Sequence, residues 1–249
     1  MNGNAMKSYF ENLIKKSKED FLNEADNCLE NSQKMFIITA NPEIFMHGKT
    51  DKTVDKMLTD ENVHIVADGI GIVKGGKMLG INIPERIPGV EIAEHLIKTA
   101  NEKSKSVFFF GAKQEVLDAL TKRLKNQYTN LKIAGAVNGY TENKDAVFGD
   151  IKSATPDIIF VALGVPLQEK LIYTHIDEFD KGIFVGIGGT LDVLSGTKKR
   201  APEFFINHNL EWLYRIVKEP SRLKRFYNNN VKFILSVKKE AKRTNKNEN

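Results

Sequence analysis

Residues 157–187 read DIIFVALGVPLQEKLIYTHIDEFDKGIFVGI. Asp157 to Leu163 and Gly182 to Ile187 are two strand-length runs, and their near-continuous apolar character suits strands buried on both faces. Between them, Pro166 to His175 has helical periodicity, with proline at a first-turn position where its missing N–H is tolerated. Parallel neighbours must be joined by a crossover, usually a helix. This strand-helix-strand unit therefore predicts a parallel sheet covered on both sides.

The rhythm extends outward. Met35 to Thr39, His64 to Ala67, Ser106 to Phe110 and Leu131 to Val137 read as further strands, with Val90 to Lys103 and Gln114 to Gln127 as helices. The expected class is α/β, with a body spanning residues 35–200. Residues 6–31 read as one or two helices, so residues 1–34 form an N-terminal helical segment packed on that body. From Pro202 the pattern turns to helix alone. Ile206, Leu210, Leu213 and Val217 form one apolar stripe, Pro220 breaks it, and a basic amphipathic segment follows from about Ser221 to Lys242. Phe226, Phe233, Ile234 and Val237 line one side of that segment. Residues 201–243 are thus read as a helical appendage and 244–249 as a disordered tail.

The chain has 249 residues, 41% hydrophobic and 28% charged, which excludes a disordered polymer. The single Cys28 permits no internal disulfide, and His47, His64, His95, His175 and His208 lie too far apart for a zinc spacing. No metal is expected. No signal-peptide pattern or spanning run occurs, so the expected location is cytoplasmic. Charge is divided unevenly: residues 198–249 hold 14 Lys/Arg against 5 Asp/Glu, the remainder 23 against 27. One end of the chain is suited to polyanions, an anionic membrane surface or a nucleic acid.

In an open parallel sheet the ligand crevice lies beyond the carboxyl ends of the strands. The residues there are polar or glycine: Thr39-Ala40-Asn41-Pro42-Glu43, Asp68-Gly69-Ile70-Gly71, Gly111, Gly164 through Glu169, and Gly186-Ile187-Gly188-Gly189-Thr190. Glycine permits close backbone approach, and helix starts offer N–H groups to phosphate. Neither G-x-G-x-x-G nor G-x-x-x-x-G-K-[ST] occurs, so the ligand is phosphate-bearing but not of the Walker type. Asp68 follows a buried strand. It reads equally as a general base with a raised pKa or as a cap that orders the turn. Asp192 reads as a cap or a contact to a ligand hydroxyl. The dense acidic run Asp177-Glu178-Phe179-Asp180 precedes a strand rather than following one, which argues against a divalent cation on a diphosphate.

The stretch from Gly186 to Phe226, GIGGTLDVLSGTKKRAPEFFINHNLEWLYRIVKEPSRLKRF, closely resembles the signature of the WecG/TagA/CpsF glycosyltransferases. Thr39 to Glu43, Asp68 to Gly71 with Pro84-Glu85-Arg86, and Leu163-Gly164 with Pro166 to Glu169 match in the same order. The resemblance covers about residues 35–227. It implies a Rossmann-like parallel sheet flanked by helices, with a C-terminal helical appendage. It also implies transfer of a sugar from a UDP-sugar to an undecaprenyl-diphosphate-linked acceptor at the inner face of the cell membrane. The best-known activity of this kind is N-acetylmannosamine transfer in wall teichoic acid synthesis.

Carried over by position, Asp68 is the implied catalytic base, with Thr39 and Asn41 beside it. Gly111, Gly164, Gln168, Gly188, Gly189 and Asp192 are implied along the UDP site, and Arg215, Arg222 and Arg225 as cations that close on the diphosphate without a metal or other cofactor. Trp212 and Tyr214 are expected to seat the appendage on the body. Two departures matter. The first 30 residues are helix-like where the family opens with strand, which makes them candidates for a different packing or for a homo-oligomer. Val137-Asn138-Gly139-Tyr140-Thr141 stands where the family often has His-His-Gly-Tyr-Phe, which bears on the donor. The expected activity is an inverting transfer of N-acetylmannosamine onto lipid-linked GlcNAc. The same chemistry with UDP-glucose or UDP-N-acetylmannosaminuronic acid is an alternative. So is a non-catalytic nucleotide-binding protein whose basic tail holds nucleic acid, a reading the absence of an aromatic-interleaved basic motif disfavours.

Overall fold

The computed structural model describes residues 5–247, leaving aside the side chains of Ala5, Arg222, Arg225 and residues 244–247. Two helices open it, α1 (Ala5–Glu11) and α2 (Lys18–Glu30), and Ser17 caps the second by accepting the Asp20 N–H. There follow β1 (Lys34–Ala40), α3 (Pro42–Gly48), α4 (Lys52–Thr59), β2 (Val63–Ala67), α5 (Ile70–Met78), α6 (Gly89–Glu102), β3 (Ser106–Gly111) and α7 (Gln114–Gln127). The body is completed by β4 (Lys132–Val137), α8 (Lys144–Ala154), β5 (Ile158–Ala162), α9 (Leu167–His175), β6 (Gly182–Gly186) and α10 (Thr190–Leu194). The C-terminal stretch holds α11 (Glu203–Asn207), α12 (Glu211–Lys218), α13 (Arg222–Phe226), a π-helical turn over 227–231, and α14 (Lys232–Asn247). Helix α14 overlaps the segment expected to be disordered from 244; residues 248 and 249 of that segment lie outside the described residues.

All six strands are parallel, in the order β2-β1-β6-β5-β3-β4. Alternate side chains of each strand feed two cores. Phe36, Ile38, Phe108, Phe110, Ile159, Val161 and Phe184 pack with α1, α3, α4, α8 and α9 on one face. Met35, Ile37, Phe109, Phe160, Ile183 and Val185 pack with α2, α6, α7 and α10 on the other. This two-sided burial is why the sequence shows continuous apolar runs rather than alternation. The free edge of β2 is covered twice, by the Leu13–Ile65 bridge and by the Ile87 N–H donated to Ala67 O, so no open edge invites pairing there.

The crossover after β3 runs outward to β4, whereas the one after β5 runs back to β6. Adjacent strands that send their chains in opposite directions open a crevice at their carboxyl ends. The C-terminal stretch packs on the β1–β2 side of the sheet, with α14 against α1, α3 and α5, and it departs from the expected pattern. Ile206, Leu210, Leu213 and Val217 do not share one helix, because Asn209 adopts φ +58° and ends α11 before α12 begins. Phe233 and Val237 are buried on the body, but Ile234 faces solvent, so the apolar side of α14 is narrower than expected. Trp212 stacks on Phe226 at 4.6 Å and Tyr214 meets Phe205 at 5.3 Å, so these aromatics hold the appendage to itself rather than to the body. Phe233 is what anchors it: buried to 1% exposure, it lies 6.1 Å from both Phe10 and Phe45, over Gly75 of α5.

Candidate active site

Asp68 leaves β2 beside the start of α6. Its backbone N–H goes to Ala40 O on the β1 side, and its Oδ1 accepts the Gly89 N–H at 2.8 Å. Gly69 takes the cap position of α5 without a side-chain bond, so Asp68 does not cap the helix that follows it. It serves instead one N–H at the start of α6. Oδ2 has no hydrogen-bond partner among the described residues. Burial pushes this carboxyl above the ordinary carboxylate range; the Gly89 hydrogen bond and the charges of Arg215 and Arg86 work against the shift, and Glu211 adds to it.

Three of those influences come from one charged bridge. Glu211, at the start of α12, accepts from Arg215 Nη2 at 2.6 Å and lies 3.9 Å from Arg86 Nη1. Arg86 also donates to Ile206 O at 3.4 Å, so the strap before α6 is fastened to the appendage beside Asp68. The structure thus brings Asp68 and Arg215 into one electrostatic neighbourhood. The side chains of Arg222 and Arg225 lie outside the described residues. Arg86 and Glu211 carry no role in the sequence reading, although both stand inside matched motifs; their charge within those motifs was the available signal.

Thr39 and Asn41 lie at the end of β1 with structural tasks of their own. Thr39 Oγ1 donates to Gly186 O at 3.0 Å, joining the ends of β1 and β6, and its side chain packs where a Cβ on Gly89 would fall. Asn41 Oδ1 caps α3 by accepting the Glu43 and Ile44 N–H groups. Gln168 is buried at 2% exposure rather than lining an open surface. Its Oε1 accepts from the backbone N–H groups of Gly164 and Gly188, both at 3.1 Å, and so braces the loops after β5 and β6. Its Nε2 must then donate elsewhere, and does so to Glu169 Oε1 at 2.7 Å.

Glu169 is the residue that sequence reading missed most plainly. It is 1% exposed, its Oε2 has no partner among the described residues, and burial pushes its pKa up to about 7 against the Gln168 hydrogen bond. Gly164 at φ +84° and Gly188 at φ +47° need left-handed backbone, and a Cβ on Gly164 or Gly189 would meet open space. Gly111 differs: its φ is +130° and a Cβ would fall 2.3 Å from Ala162 O, so glycine is required there by the neighbouring strand. Asp192, in the first turn of α10, pairs with Lys198 at 3.4 Å; Lys198 also reaches Glu219 at 3.5 Å, tying α10 to the end of α12.

A polar cleft of about 270 Å³ lies beside Arg86, and another concavity of about 470 Å³ lies on α7 around Arg123, away from the strand ends. The candidate site is at the carboxyl ends of the strands, where the raised-pKa carboxyl of Asp68 and the open backbone of Gly164 and Gly189 lie on the same side of the sheet. Among the described residues no group of three or more His, Cys, Asp or Glu could hold a metal ion, and no helix is long and apolar enough to cross a membrane.

A parallel α/β sheet with glycine loops and a buried carboxylate at its strand ends is a scaffold on which group-transfer sites are built. Residues 8–247 match the model of the glycosyl transferase WecG/TagA/CpsF family, and the chain belongs to that family. It is 39% identical over 206 residues to an N-acetylglucosaminyldiphosphoundecaprenol N-acetyl-beta-D-mannosaminyltransferase of Bacillus subtilis strain 168, covering 83% of this chain and 80% of that one. An enzyme of the same name from Staphylococcus aureus strain MW2 is 37% identical over 214 residues, 86% of this chain and 81% of the relative.

Proposed function

We propose that this protein transfers N-acetylmannosamine from UDP-N-acetylmannosamine to undecaprenyl-diphosphate-linked GlcNAc, in the synthesis of wall teichoic acid or a related surface polysaccharide. The observation that carries the reading is Asp68: a carboxyl with one oxygen held by Gly89 and the other unpartnered among the described residues, facing charges contributed by the appendage. The names and extent of similarity of the relatives support the choice of sugar and acceptor.

In this mechanism the free oxygen of Asp68 takes the proton of an acceptor hydroxyl as that oxygen attacks the anomeric carbon. The bond from the anomeric carbon to UDP breaks in the same displacement, inverting the centre. The departing diphosphate is met at the loop of Gly189, where a side chain would find open space, and by Arg215, with no divalent metal; Gln168 holds the neighbouring Gly164 and Gly188 backbone in place. Thr39 and Gln168 act by fixing the strand ends and loops that hold the donor. The appendage exposes Phe204, Val217, Leu223, Tyr227 and Leu235 near Lys218, Lys224 and Lys232, which suits an anionic bilayer carrying the acceptor, at the inner face of the cell membrane.

The test is incubation with UDP-N-acetylmannosamine, UDP-glucose, UDP-N-acetylmannosaminuronic acid and UDP-GlcNAc, a short-chain lipid-diphosphate-GlcNAc acceptor, and EDTA, read by mass spectrometry. The expected product gains one N-acetylhexosamine from UDP-N-acetylmannosamine. Transfer from another donor alone overturns the donor assignment, and loss of product with EDTA overturns metal independence.

A further inference from the structure

The cleft beside Arg86 is lined by Lys18, Glu85, Arg86 and Glu91 on one side and by Asn207 and Asn209 on the other, with Pro88 and Ile206 supplying its apolar patches. We propose that it is the subsite for the acceptor's sugar ring, an N-acetylhexosamine attached to diphosphate. This rests on the transferase reading above and deepens it.

Strand direction fixes which side of Asp68 the cleft occupies. In an extended chain, successive backbone groups point to opposite sides. Asp68 donates its N–H to Ala40 O, toward β1, whereas Ala67 accepts the Ile87 N–H at 2.7 Å on the opposite side. The strap carrying Glu85, Arg86 and Pro88 therefore runs along the outer edge of β2. The loops of Gly164 and Gly188 lie toward the sheet interior, past β1. A donor on those loops and an acceptor in the cleft would approach Asp68 from opposite sides, the arrangement required when nucleophile and leaving group must lie in line through the anomeric carbon.

The lining also has the chemistry of a sugar site. The side-chain amides of Asn207 and Asn209 have no hydrogen-bond partner among the described residues, and each can both donate to and accept from a hydroxyl or acetamido group. The wall is built before any ligand arrives: Glu85 Oε1 accepts the Lys18 N–H at 2.9 Å, Lys18 Nζ reaches Glu91 at 2.9 Å, and Arg86 holds Ile206 O. Pro88 joins this wall directly to Gly89, the residue that holds Asp68. Lys18 belongs to the N-terminal helical segment, and it gives that segment a part in substrate selection.

The experiment uses the full chain with Asn207→Ala, an exposed position, and Asn209→Gly, which keeps the left-handed backbone. Transfer is measured while UDP-N-acetylmannosamine and the short-chain lipid acceptor are varied in turn. Each variant is expected to raise the acceptor KM about five-fold, the effect of losing one or two hydrogen bonds, and to leave the donor KM within about two-fold. An unchanged acceptor KM, or a rise in the donor KM alone, overturns the proposal. Saturation-transfer NMR with water-soluble GlcNAc-1-diphosphate gives a readout that does not need turnover. Signal on the sugar protons with wild type and a weaker signal at the same ligand concentration with Asn207→Ala support the subsite even if no donor in the panel is transferred, a failure that would fall on the transferase reading alone. Absence of signal with wild type, or equal signal in both, overturns the subsite.

Discussion

Gly89 donates its backbone N–H to Oδ1 of Asp68 at 2.8 Å and leaves the second carboxylate oxygen without a protein partner among the described residues. An amide in place of the carboxylate can keep that bond through its own oxygen, but it cannot take a proton. Asp68→Asn should therefore lower kcat by about 10²- to 10⁴-fold, the usual worth of a general base, while the dissociation constant for UDP changes little. Turnover assays beside calorimetric UDP titration measure both. A variant with wild-type kcat would remove Asp68 from the chemistry.

Glu211 and Arg215 act on Asp68 with opposite sign, and the pH profile should register each. Burial raises the Asp68 pKa, so its basic form, and with it kcat/KM, appears only above the ordinary carboxylate range. Removing the negative charge in Glu211→Gln should move the acid limb to lower pH. Removing the positive charge in Arg215→Ala should move it to higher pH. Shifts in the same direction would mean that the titrating group is not Asp68.

The sheet was legible because its strands are buried on two sides: each of the six expected runs coincides with an observed strand to within two residues at each end. Helix α5 was hidden by its glycines, since IGIVKGGKM has little helical propensity and forms under Phe10 and Phe233. The appendage stripe failed on one backbone angle, at Asn209, that periodicity does not contain. Site roles were hardest where the partner is distant in sequence. Gly111 answers to Ala162, and Gln168 to Gly188, and only the fold brings those pairs together.

Glu169 should make the fold lose stability as pH rises from the acid range to neutrality. Burial raises its pKa to about 7 in the folded protein from an ordinary glutamate value of 4.5, so the folded state holds more protons than the unfolded state between those limits. Stability contributed by the neutral acid is present below about pH 4.5 and is lost as pH rises toward 7. Glu169→Gln keeps an acceptor for Gln168 Nε2 and does not titrate. Denaturant unfolding at pH 5 and pH 8 should show the variant gaining on wild type by up to a few kcal/mol at the higher pH. Parallel curves for the two proteins would count against a buried, neutral Glu169.

Phe233 joins the far end of the appendage to the body, and Gly75 makes room for it. A Cβ on Gly75 would fall 2.7 Å from Phe10 Cζ and 3.1 Å from Phe233 Cζ. Gly75→Val should therefore displace α14, and Phe233→Ala should release it by removing about 3–5 kcal/mol of core packing, less whatever the helix recovers in solvent. Hydrogen exchange along α14 should speed up in both variants while the strands stay protected. Equal protection of α14 in wild type and Phe233→Ala would show that other contacts hold it.

The exposed apolar residues of the appendage carry the last expectation. Val217 is 69% exposed and Leu223 57%, and each lies within a residue of a lysine, Lys218 and Lys224 respectively. Such side chains enter the headgroup region of an anionic bilayer while the lysines meet its surface charge. Val217→Asp with Leu223→Asp should reduce sedimentation with phosphatidylglycerol vesicles by more than half and weaken use of a long-chain acceptor. Hydrolysis or transfer with a water-soluble acceptor should stay near wild type, because both side chains are exposed to solvent. Binding to neutral vesicles should be weaker at the outset. If the double variant binds anionic vesicles as wild type does, the membrane contact lies elsewhere on the molecule.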